Sequence, residues 1–101
     1  MMQSALTLPQ QPVTITEDKT ETRLMPMYRV LLHNDDVNDM DTVVHALQEI
    51  FKFEFERSAE IMLEAHNNGV ALCAIEPLER AEFHQEQLQS FGLTATIEPE
   101  S

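Results

Sequence analysis

Between Met27 and His33, Tyr28, Val30 and Leu32 alternate with neighbours that are partly apolar themselves, the pattern of a central strand. A polar turn follows. Asn38 can cap the next helix, with Asp41 three residues on, and Val43, Val44, Leu47, Ile50 and Phe51 then recur at helical spacing, which predicts a helix over 39–51. Acids at Glu54 and Glu56 suit the positive end of a second helix, whose adjoining turns carry Ala59, Met62, Leu63 and His66 and which Gly69 should stop. Val70 to Ile75 is a wholly apolar run, hence a strand. Pro77 opens a third helix reaching about Phe91, Gly92 ends it, and Leu93 to Ile97 forms the last strand. The order β-α-α-β-α-β calls for an α+β domain, a small sheet with helices packed on it.

Composition narrows the picture. The 101 residues allow one domain, and 43% hydrophobic content at regular spacing says that it has a core. Residues 1–24 hold few large apolar side chains, and Pro9 and Pro12 interrupt any helix, so a flexible tail is expected before a folded unit over 25–101. The tail contributes −1 to the formal net charge of −12, leaving −11 on the folded part. Such acidity opposes contact with nucleic-acid phosphates or anionic lipid, and favours basic or cationic partners. No apolar run approaches the roughly 20 residues of a membrane span. The opening stretch, Met1 to Pro12, lacks the pattern of a secretory signal, and the lone Cys73 has no internal partner, so a cytoplasmic setting is expected.

Candidate chemistry gathers at His33-Asn34-Asp35-Asp36, between the first strand and the first helix, where loop side chains are reachable yet held by rigid elements. Taken alone, these are also ordinary turn residues whose side chains bond their own backbone. Taken alone, His66, near the end of a helix, reads as a capping or surface histidine. Cys73 lies within an apolar strand, where a thiol stays protonated and packs, and no glycine-rich phosphate loop exists.

The string Tyr28-Arg29-Val30-Leu31-Leu32-His33-Asn34-Asp35-Asp36, followed by Met40, Val43, Val44 and Leu47, resembles the ClpS family. The likeness continues through Phe51, Glu56-Arg57-Ser58-Ala59, Met62-Leu63, His66, Gly69 and Ala71-Leu72-Cys73, covering about residues 27–98. The resemblance implies a three-stranded antiparallel sheet covered by three helices. It implies an adaptor without enzymatic activity or cofactor, which binds degradation signals at protein N-termini and docks on the N-terminal domain of a Clp ATPase, ClpA or ClpC.

Carried over residue by residue, contacts to the substrate's α-amino group fall on Asn34, Asp35 and His66. A terminal ammonium has three donors, and an amide carbonyl, a carboxylate or nearby carbonyl, and a neutral imidazole can accept them. The first side chain of the substrate would enter a pocket of Asp36, Asn38, Met40, Val43, Met62, Ala65 and Leu93, whose two methionines suit Leu, Phe, Tyr and Trp. Asn38 stands where the family usually has Thr, and Ala65 where Val is common. ATPase docking falls on Glu79, with His84 in place of a basic residue. Two other readings compete: a divalent-metal enzyme or sensor built on His33, Asp35, Asp36 and His66, and a purely protein-interacting domain that uses its helical surface.

Overall fold

A computed structural model describes residues 25–101; the tail expected over 1–24 lies outside the described residues. Strand β1 spans Met27–His33, helix α1 Met40–Phe51, α2 Phe55–Asn68, β2 Val70–Pro77, α3 Leu78–Ser90 and β3 Thr94–Pro99. The sheet order is β2-β1-β3, antiparallel throughout, so β1 is the central strand that its doubly apolar pattern implied. Opposite β1, the register of β2 jumps from Ala74 to Leu72 between Val30 and Leu31, a bulge that leaves Cys73 unmatched.

Alternation along the strands sorts the sheet's two faces. Val30, Leu32, Ala71, Cys73 and Ala95 point inward onto Ala46, Leu47 and Ile50 of α1, Ile61 and Ala65 of α2, and Ala81 and Leu88 of α3. The outer face keeps Arg29 and Glu98, paired across β1 and β3 at 3.5 Å. Burial pushes the Cys73 thiol up to about 12, so this sulfur packs as an apolar group.

Three joints differ from the sequence reading or refine it. The cap of α1 is Asp39, whose carboxylate accepts from the Thr42 backbone N–H at 2.8 Å, and the helix starts one residue later than expected because Asn38 is engaged elsewhere. Helix α1 ends on Lys52 at φ 63°, an unusual conformation for a side chain with Cβ, which folds Phe53 back onto Phe51 with ring centroids 5.0 Å apart. Strand β2 extends to Pro77, beyond Ile75, because Glu76 turns inward and still pairs with Tyr28 of β1. Gly69 and Gly92 end α2 and α3 as expected, at φ 90° and 85°.

Candidate functional site

At the C-terminal end of β1 the chain enters the loop Asn34–Asp39, and backbone bonds pin that loop to its neighbours. The Asn34 N–H donates to the Gly69 carbonyl at 3.0 Å, which holds Asn34 beside the last turn of α2, where His66 stands. Asp35 forms an Asx turn: its Oδ1 accepts from the N–H groups of Val37 and Asn38, both at 2.9 Å. The Asn38 side-chain amide adds bonds of 3.4 Å to Oδ1 and 3.2 Å to Oδ2. These donors, the Asn38 backbone N–H first, hold the Asp35 carboxyl below its ordinary 3.8. Among the described residues its Oδ2 accepts only the one bond and keeps acceptor capacity.

The loop, α1, α2 and the α3–β3 junction enclose one cavity of about 330 Å³. Asn34, Asp35, Asp36, Asn38, Met40, Val43, Met62, Ala65, His66 and Leu93 all line it, so the residues singled out for amine and side-chain binding share a single hollow. Asn34, Asp36, His66 and Met40 are exposed and form its rim, while Ala65 and Leu93 are buried and form its floor. Leu32 and Asp39, not singled out from the sequence, and His33, singled out only as a candidate metal ligand, also contribute to the lining. Asn38 has a further bond that the sequence did not suggest, from its Nδ2 to the Gly92 carbonyl at 2.8 Å, across to the α3–β3 turn.

The two residues assigned to docking part company. Glu79 is exposed in the first turn of α3, beside a separate hollow that also takes in Met25, Tyr28 and Leu78. His84 is only 8% exposed. Its Nδ1 lies 2.8 Å from Glu76 Oε1, and its ring centroid is 4.5 Å from that of Phe51. The structure thus places His84 in the packing between α3, β2 and α1, and not beside Glu79 on a shared surface.

The metal reading does not fit the donors. Among the described residues no three His, Cys, Asp or Glu side chains approach closely enough to hold an ion, and His33 Nε2 sits 2.7 Å from Thr96 Oγ1. Among those residues, too, no helix is long and apolar enough to cross a membrane.

A helix-covered antiparallel sheet with an open, acceptor-rimmed pocket defines a small binding module. Residues 23–96 match the family described as ATP-dependent Clp protease adaptor protein ClpS. The ClpS adapter of Gloeobacter violaceus is 43% identical over 88 residues, which cover 86% of this chain and 95% of that protein. The adapter of Synechococcus elongatus is 46% identical over 85 residues, covering 83% and 90%. In three dimensions the fold matches Agrobacterium tumefaciens ClpS2 bound to L-phenylalaninamide, with a TM-score of 0.70 at 28% identity, over 74% of this chain and 98% of that one. The chain therefore belongs to the ClpS family, adaptors that work with the Clp protease and its ATPase and are not themselves enzymes.

Proposed function

We propose that this adaptor captures the free N-terminus of proteins that begin with Leu, Phe, Tyr or Trp and delivers them to the Clp ATPase. The observation that carries the reading is the joining, in one cavity of about 330 Å³, of rim acceptors with an apolar floor. That volume falls in the range of roughly 300–1,000 Å³ usual for small-molecule sites. An α-ammonium finds acceptors in the Asn34 carbonyl, Asp35 Oδ2 and His66, each such charge-assisted bond contributing ~1.5–3 kcal/mol. Burying the first side chain among Met40, Val43, Met62, Ala65 and Leu93 contributes ~1.5–3 kcal/mol more. After association costs, affinity is on the order of micromolar. The Agrobacterium relative holds L-phenylalaninamide, which combines a free α-amine with an aromatic side chain, and this supports the same chemistry here.

Docking on the N-terminal domain of a ClpA- or ClpC-type ATPase, in the cytoplasm, completes the reading. Exposed Glu79 is its contact on α3, with His84 holding that helix in place from within. The test is a calorimetric titration with peptides beginning with Leu, Phe, Tyr, Trp or Ile, each with an N-acetylated control. Free peptides should bind and acetylated ones should lose nearly all affinity; equal binding of the two overturns the reading.

A further inference from the structure

The Asn38 amide is placed between three acceptors: both carboxylate oxygens of Asp35 and the carbonyl of Gly92. Its orientation is fixed by that setting, since a flipped amide would set its own carbonyl against all three. One Nδ2 thus serves two loops that are 54 positions apart in the chain. On one side stands Asp35, whose Oδ1 accepts from two backbone donors and whose Oδ2 accepts from the Asn38 amide and retains a further lone pair. On the other side Gly92 leads into Leu93, the buried floor of the cavity. Gly92 adopts φ 85°, and the adjoining N–H groups of Gly92 and Leu93 are already bonded to the end of α3, at 2.9 Å and 3.1 Å. The Gly92 carbonyl is therefore held in a set direction, and the Asn38 bond joins that fixed turn to the Asx turn of Asp35.

We propose that Asn38 is a positioning residue that couples the two halves of the pocket. Through one amide it holds the Asp35 carboxylate aimed at the ligand's ammonium and registers the Leu93 floor against the same point. Grip on the amine and grip on the side chain then depend on each other. This inference rests on the N-terminus-binding reading, and it concerns how that site discriminates.

The test uses wild type, Asn38→Ala, Asn38→Thr and the near-isosteric Asn38→Asp, titrated by NMR with peptides beginning with Phe or Ala and with acetylated Phe controls. Asn38→Ala should weaken the Phe peptide roughly tenfold or more, as expected for a lost bond to a charged group. It should also shrink the Phe-to-Ala affinity ratio, which a residue serving the amine alone would leave unchanged. Asn38→Thr keeps one donor and should fall between wild type and Ala. Asn38→Asp keeps the size and loses the donors to Asp35 and Gly92, so the Phe-to-Ala ratio should shrink as it does in Asn38→Ala. It also stands in if the alanine variant folds poorly. Phe affinity within twofold of wild type in Asn38→Ala, or an unchanged Phe-to-Ala ratio, overturns the coupling. If wild type fails to prefer free over acetylated Phe, the function reading falls instead. The coupling is then read without ligand: the Gly92 and Leu93 amide resonances should move together with Val37 on Asn38→Ala, and movement of Val37 alone overturns it.

Discussion

The pocket end of the molecule and the start of α3 carry the same kinds of polar residue but use them differently. Around the pocket, residues from β1, the Asn34–Asp39 loop, α1, α2 and the α3–β3 turn converge on one cavity. On α3, Glu79 and His84 diverge, one exposed and the other buried against Phe51 and Glu76. Five residues along a helix amount to a rotation of about 140°, so the two side chains cannot share a surface. In the pocket, bonds between elements fix where a side chain points, as Asp35 and Gly92 do for Asn38. A docking face on one helix has no such internal check, and a histidine in the position of a surface base can turn into the core.

Crossed substitutions should separate the two regions most strongly. Asp35→Ala or His66→Ala should weaken a Phe-initiated peptide at least tenfold, the loss expected when a charge-assisted bond of ~1.5–3 kcal/mol is removed. Binding to the isolated N-terminal domain of the ATPase should stay within about twofold, the range of a distant surface change. Glu79→Ala should do the reverse, weakening the ATPase domain and sparing the peptide. Loss of peptide binding in Glu79→Ala, measured by calorimetry, would join the two ends into one site and break the comparison.

Next in size is His84→Ala, which removes a buried ring from between Phe51 and Glu76 and leaves the Glu76 carboxylate, 13% exposed, without its closest partner. A loss of about 2–3 kcal/mol is expected, and each kcal/mol lowers the melting temperature of a domain this size by roughly 4–8 °C. Peptide affinity at a temperature where the variant is folded should be unchanged. Calorimetric melting without a drop would mean that His84 is free to serve a partner after all.

Much of this was legible in the residues. The doubly apolar run of β1 marked the central strand, and Gly69 and Gly92 marked the helix ends because only glycine enters their φ region without strain. Family likeness named candidate pocket residues, and the structure brings them to the lining of one cavity. What stayed hidden depends on direction in space. Asn38 and Asp39 are both good caps, and the sequence could not show that Asn38 reaches Gly92 and leaves the capping to Asp39. Nor could it show that β2 continues past Ile75, since Glu76 looks like a surface residue until its histidine partner is seen inside the fold.

The polar loop also makes a smaller claim that can be read from protonation. The Asp35 carboxyl is held below 3.8 by the Asn38 and Val37 donors, so its contribution to stability is complete above the unfolded value and is lost as pH falls through the folded one. The side-chain carboxyl carbon of Asp35, followed by NMR, should therefore titrate with a midpoint under 3.8. In Asn38→Ala that midpoint should rise, though only in part, because the backbone donors remain. An unmoved midpoint would mean that the Asn38 side chain does little for the charge it touches.

The smallest effect concerns a polar group that no part of the pocket uses. Ser58 lies in the first turns of α2, at the end of that helix far from His66, fully buried, with its Oγ bonded to no neighbour among the described residues. A buried hydroxyl without a partner has lost its hydration and gained nothing in return, so removing it relieves a cost that a bonded hydroxyl would not carry. Ser58→Ala removes that hydroxyl and keeps the Cβ, and alanine has the better helix propensity. Stability should rise by about 0.5–1 kcal/mol, read as a higher urea midpoint at constant slope, with peptide affinity unchanged. Asn38→Ala is the same kind of change, polar to methyl, made where the polar group serves two loops, and its effect on the protein should have the opposite sign. A destabilised Ser58→Ala would show that its hydroxyl has a partner, such as a buried water, and that this packed end keeps its polar groups satisfied just as the pocket does.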